Sequence, residues 1–252
     1  MANFNDIFRV MKILLRYFWI TTFLFGLGLR ASSQWVAGLQ AGPDLNFLKT
    51  NISNIPVAEY KPVIGIQAGL IVQYAFNKWL ALEAQPCFQQ KRYKLEWTGY
   101  YSGIYQTNLN DYWSLPLVGD ISFVAGKFRL TAQLGVYVAY WAVGRAKGVM
   151  PNVGDPTAAT SYVDYIGYNT LYSYNVADSF ESCRDQRIEL GWMTGERIAY
   201  CHNNTQFFVG IQYYYSSTDQ QKNYEINQIP RYNQTFALSA GVLYKLKALK
   251  WK

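Results

Sequence analysis

Apolar and polar positions alternate one by one along most of this chain. The clearest stretch runs from Val63 to Phe76. Ile64, Ile66, Ala68, Leu70, Val72, Tyr74 and Phe76 form one apolar face, and Gly65, Gln67, Gly69 and Gln73 lie on the other. A period of two is the signature of a β-strand, because successive side chains leave a strand on opposite sides. No stretch after the first 33 residues approaches 18 continuous apolar residues, so a transmembrane helix is not expected there.

The same alternation predicts seven further strands. Trp35–Asn46 opens the set. Leu80, Leu82, Ala84, Pro86 and Phe88 oppose Glu83, Gln85, Gln89 and Lys91. Trp113, Leu115, Leu117, Ile121 and Phe123 oppose Ser114, Asp120 and Ser122. Phe128, Leu130, Ala132, Leu134, Val136, Val138 and Tyr140 oppose Arg129, Thr131, Gln133 and Gly135. Ile188–Tyr200 sets Leu190, Trp192 and Ile198 against Glu189, Gly191, Gly195 and Arg197. Phe207–Tyr215 and Thr235–Leu246 complete the eight.

The connections between them alternate in length. Short turns are predicted near 77–78, 124–127 and 202–205, and long loops near 47–61, 97–111, 143–186 and 217–233. Alternation of short turns with long loops is the arrangement of outer-membrane barrels, with the long loops outside the cell. The predicted strands of about 11–17 residues exceed the globular mode of ~5–6. They suit tilted membrane spans of ~9–11 residues with extensions.

Charge then decides which face is outside. Glu83, Lys91, Asp120, Arg129, Glu189 and Arg197 share the face that also carries most strand glycines. The other face is nearly free of charge, Glu196 being its exception near a short turn. A lipid-facing apolar surface around a narrow polar lumen satisfies both faces. A closed ladder also satisfies every backbone group within the hydrocarbon. The expected fold is all-β, a transmembrane antiparallel up-and-down barrel of about eight strands. The six charged residues are expected to form a structural network in its lumen. Eight strands leave an interior just wide enough for side chains to fill.

Composition agrees with a chain that crosses two membrane–water interfaces, where aromatic rings with polar tips are favoured. The 252 residues include 22 Tyr, 14 Phe and 8 Trp. At the N-terminus, Lys12 and Arg16 precede an uncharged apolar run, Tyr17–Leu29, and then Ala31-Ser32-Ser33. This is the pattern of a secretory signal peptide. Residues 1–33 are therefore expected to be removed, leaving 34–252 as the barrel domain; Met11 is an alternative start. Residues 1–33 hold +3 of the formal net charge of +7. Lys245, Lys247, Lys250 and Lys252 match the remainder, so no basic face for nucleic acid is expected.

Catalytic chemistry finds no constellation. The single histidine, His202, falls at a short turn. Cys87, Cys183 and Cys201 are odd in number and scattered, with neither a disulfide framework nor zinc spacing. Gly154-Asp155-Pro156 reads as a loop turn. No catalytic, metal-binding or cofactor-binding residue is expected, and no cofactor. The loop 143–186 contains Tyr162, Tyr165, Tyr168, Tyr172 and Tyr174. It is the expected place for a surface ligand or protein partner, or else a self-packed cap on the barrel mouth.

Several motifs in order resemble the Bacteroidetes-type outer-membrane barrels called PorT-like, which are similar to small OmpA/OmpX-like eight-stranded barrels. They are Gly42 with Asp44, Tyr112-Trp113-Ser114-Leu115-Pro116-Leu117, Leu134-Gly135-Val136-Tyr137-Val138, Gly210-Ile211-Gln212-Tyr213-Tyr214-Tyr215 and Ser239-Ala240-Gly241-Val242-Leu243-Tyr244-Lys245-Leu246. The resemblance covers 34–246. Leu246 stands where such barrels often end in an aromatic residue. The resemblance implies membrane lipid and the barrel-insertion machinery as partners. It also implies a structural or interaction role, with protein secretion known for one branch. The alternatives are a passive porin-like channel, an outer-membrane enzyme and a soluble ligand-binding barrel.

Overall fold

The computed structural model describes residues 34–50, 58–99, 103–151, 171–177, 179–223 and 228–246. The expected signal peptide, 1–33, lies outside the described residues. Ten strands follow one another: β1 Gln34–Lys49, β2 Ala58–Ala75, β3 Leu80–Ala84, β4 Cys87–Trp97, β5 Tyr105–Ala125, β6 Phe128–Pro151, β7 Leu171–Ala177, β8 Ile188–His202, β9 Thr205–Ser216 and β10 Tyr232–Lys245. All pairings are antiparallel, and the closing pair joins first strand to last, with Leu39 opposite Val242.

Nine of these ten strands occupy eight positions in a closed ring. β3 and β4 share one position, both lying between β2 and β5. The break falls at Gln85-Pro86, where proline has no N–H for the ladder. The Pro86 carbonyl still accepts from the Leu70 N–H at 2.9 Å. β7 is outside the ring. Among the described residues it pairs only with the far end of β6, Arg145 lying opposite Ala177.

Two of the short connections are two-residue hairpin loops, Gly126-Lys127 and Asn203-Asn204, with Gly126 at φ 59° and Asn203 at φ 53°. Positive φ matches the twist of the flanking strands. The third spans Phe76–Trp79 rather than two residues. There the Asn77 side chain accepts from the N–H of Trp79 at 2.9 Å and of Leu80 at 2.7 Å.

Parts of the segments expected as long loops are strand. Residues 105–111 of β5 pair with 143–149 of β6 on one side and with 90–96 of β4 on the other. β5 has 21 residues and β6 has 24, against the ~9–11 that cross a bilayer. The barrel wall therefore continues well beyond the membrane on the long-connection side.

Burial alternates as the hydropathy pattern requires: Leu82 is 52% exposed and Glu83 0%. The exposed face is the apolar one. Trp35, Tyr74, Trp79, Phe123, Phe128 and Tyr200 stand near the short turns, and Phe47, Trp113, Tyr140, Trp192 and Phe236 towards the other end. Between these aromatic levels lie Leu39, Leu70, Leu117, Leu134, Val209 and Leu238. Among the described residues no helix is long and apolar enough to cross a membrane.

Candidate functional site

The lumen is built in tiers. Nearest the short turns sits an apolar cluster of Val36, Ile71, Ala199, Phe208 and Leu243. Above it Arg197 donates from Nη1 to Glu83 Oε2 at 3.0 Å and from Nη2 to Glu83 Oε1 at 2.7 Å. Asp120 lies alongside, joined to Glu83 by shared amides. Gln73 donates to Asp120 at 2.6 Å and to Glu83 at 3.1 Å, and Gln133 donates to Asp120 at 2.9 Å and to Glu83 at 3.3 Å. Glu83 thus takes both prongs of the guanidinium, which lies 4.4 Å from the Phe208 ring centre. Ion pairs of this kind are two-pronged because the guanidinium fork matches the carboxylate.

The next tier is amide. Gln40 and Gln212 both donate to Gln85 Oε1, at 3.2 and 2.9 Å, and Gln67 and Tyr214 both donate to Gln212 Oε1 at 3.2 Å. Higher still, Lys91 pairs with Glu189. Tyr137 donates to Glu189 at 2.6 Å and Asn233 at 2.7 Å. The Lys91 ammonium also lies 4.8 Å from the centre of the Tyr112 ring and 5.2 Å from that of Tyr137. Tyr112, Tyr137, Trp141, Met193 and Tyr214 form the upper apolar cluster, against which Phe180 packs.

Of the six charged residues expected in the lumen, Glu83, Asp120 and Arg197 meet in one tier and Lys91 and Glu189 in another. Arg129 joins neither. It lies opposite Val124, one residue into β6, whereas Asp120 lies opposite Gln133. At that height Arg129 is half-buried at the rim, below the carboxylates it was expected to meet. Asp44 was not singled out as a lumen charge, yet it is buried beside Gly65, where a Cβ would come within 2.3 Å of its carboxylate. Its parity on β1 was the available signal.

Over the outer mouth two segments are tied together. The Gln186 N–H donates to the Gln220 carbonyl at 3.0 Å, and the Lys222 N–H to the Arg184 carbonyl at 2.8 Å. Phe180 sets its edge against Trp141 at 4.9 Å, and the Arg187 guanidinium lies 4.1 Å from the centre of the Phe180 ring. Beside this strap a cavity of about 520 Å³ opens, lined by residues of β4, β5, β6 and β7 and of both segments. Residues 152–170 of the loop 143–186, with Tyr162, Tyr165 and Tyr168, lie outside the described residues.

His202 ends β8, exposed beside its turn. Among the described residues no three or more His, Cys, Asp or Glu are grouped to hold a metal ion. The three cysteines are free thiols, Cys87 buried and Cys183 exposed.

A closed antiparallel ring, an apolar outer face and a polar core have a counterpart among known families. The family model described as outer membrane protein beta-barrel domain matches residues 29–221. The chain belongs to this family. It is a small β-barrel protein of the outer membrane of a Gram-negative cell, seated in membrane lipid. Similar solved structures include the Neisserial surface protein A, at 13% identity and TM-score 0.41, covering 85% of this chain and 99% of that one. Ail of Yersinia pestis is 14% identical with TM-score 0.38, covering 84% and 99%. AlkL in lipid bilayers is 14% identical with TM-score 0.39, covering 88% and 93%. No curated protein matches the chain significantly.

Proposed function

We propose that this barrel is a closed one, with a structural and interaction role at the cell surface and no catalysis. The observation that carries this reading is the filled lumen. Tyr112, Tyr214, Lys91, Gln67, Gln85, Gln89 and Glu83 are all buried at successive heights in an eight-position ring. That leaves the outward-projecting wall and mouth as the surface available to partners, including the part of 143–186 that continues β6. Loops and extensions on a rigid barrel are where function is carried.

The motif order supports a PorT-like, Bacteroidetes-type affiliation, in which assistance to secretion is the narrower role. Export by a cleaved leader over 1–33 and insertion by the barrel-assembly machinery belong to the same reading. Purified protein in planar bilayers is the test. A closed barrel gives a silent membrane. Steady ion conductance would replace this reading with the passive channel.

A further inference from the structure

We infer that the cavity at the outer mouth is a binding site for an anionic saccharide, a sugar that carries a carboxylate or phosphate. This rests on the reading of a closed barrel that works at the cell surface. At about 520 Å³ the cavity falls in the ~300–1,000 Å³ range of small-molecule sites.

Its charge is the first argument. Arg145, Arg184 and Arg231 line it against a single carboxylate, Asp185. That carboxylate is already engaged, by Arg184 Nε at 3.1 Å and by the Glu181 N–H at 2.8 Å. Among the described residues the side chains of Arg145 and Arg231 have no ion-pair partner. Two guanidinium groups of this kind favour an anion, which they hold by charge-assisted hydrogen bonds.

The remaining lining selects among anions. Gln106, Asn108, Asn110, Gln220 and Gln221 supply amides, which suit hydroxyl groups because each amide both donates and accepts. Asn110 is 3% exposed, and its Nδ2 has no acceptor. A buried donor without a partner is costly, so a ligand oxygen at the cavity floor would remove a standing penalty. A nucleotide fits less well, because Trp141 in the cavity lining is already paired with two other rings. Trp141 stacks on Tyr112, ring centres 5.9 Å apart, and stands nearly perpendicular to Phe180, ring centres 4.9 Å apart. A lipid chain is disfavoured by the arginines and amides themselves.

The test is calorimetric titration of the purified full chain with digalacturonate, glucose 6-phosphate, neutral galactobiose and inorganic phosphate. Digalacturonate or glucose 6-phosphate should bind at least about tenfold more tightly than galactobiose, and raised salt should weaken it. The double variant Arg145→Gln, Arg231→Gln should lose about tenfold, while Lys147→Gln, outside the cavity lining, changes nothing. Equal affinity for galactobiose, or inorganic phosphate binding as tightly as either acidic sugar, would overturn the saccharide assignment. So would the absence of any binding, or binding indifferent to the arginine variants. None of these outcomes bears on whether the barrel conducts, which bilayer recordings on the same preparation decide separately.

Discussion

Arg197 on β8 and Glu83 on β3 stand three positions apart around the ring and meet in the lumen through two hydrogen bonds, at 2.7 and 3.0 Å. Both side chains are essentially buried. Removing one partner of a buried pair strands the other charge, at a cost of roughly 3–5 kcal/mol. Here the cost is sharpened by Asp120, which would leave two adjacent carboxylates without their guanidinium. Arg197→Ala should lower stability in detergent by about that amount. Arg129→Ala, at the rim and without an ion-pair partner among the described residues, should cost less than about 1 kcal/mol. Urea or guanidinium unfolding of the two variants measures both. Equal losses would mean that Arg129 shares the network after all.

Gly135 shows how tightly β5 and β6 approach. A Cβ there would lie 2.0 Å from the Leu117 carbonyl oxygen and 2.6 Å from Val118 Cα. Both obstacles are backbone, so no rotamer change relieves them. Gly119 on the neighbouring strand faces outward, and its Cβ would meet only the Leu134 oxygen at 3.7 Å. Gly135→Ala should therefore reduce the folded fraction sharply, while Gly119→Ala folds like the parent. The proportion of compact, unboiled protein on a gel reports the difference.

The inward and outward faces were legible from the sequence because hydropathy alternates with the pleat. Height along the barrel was not. Alternation is blind to register, and register alone sets Asp120 opposite Gln133 and Arg129 opposite Val124. Residues 105–111 escaped for a different reason. Tyr-Gln-Thr-Asn-Leu-Asn-Asp has no apolar face, so the period-two signal fades beyond the lipid. The backbone ladder nevertheless continues, Asn108 lying between Tyr93 and Ala146. The mouth cavity depends on Arg145, Arg184 and Arg231, which lie far apart in sequence and converge only once the two segments over the mouth are tied.

Cys183 and Cys201 lie at opposite ends of the molecule. From Ile188 to Cys201 β8 runs roughly 40 Å at ~3.3 Å per residue, and Cys183 lies beyond its start. A disulfide needs Cα atoms within ~7 Å, so none joins them. With the long connections outside the cell, a membrane-impermeant maleimide should label Cys183 on intact cells. Cys201 should react only after the outer membrane is opened, and buried Cys87 only after unfolding. Labelling of Cys201 first would invert the topology.

Glu196 points outward from β8, six residues before the strand ends at His202. It stands four residues above Tyr200 and four below Trp192, roughly 13 Å of strand from each at ~3.3 Å per residue. Its side chain is exposed on the lipid-facing surface between those two aromatic residues. Its neighbours across the sheet are Ala132 and Ile211, and on its own strand Thr194 and Ile198 share its face. Among the described residues it has no ion-pair or hydrogen-bond partner. Basic residues on a lipid-facing barrel surface cost roughly 2–4 kcal/mol at the midplane, and acidic ones less. Glu196→Leu should accordingly raise stability in liposomes by about 1–2 kcal/mol, with Glu196→Gln falling between. Reversible denaturant unfolding of the liposome-inserted protein measures the gain. A loss instead would show that the carboxylate is engaged within the bilayer, and cross-linking would then identify the protein that engages it.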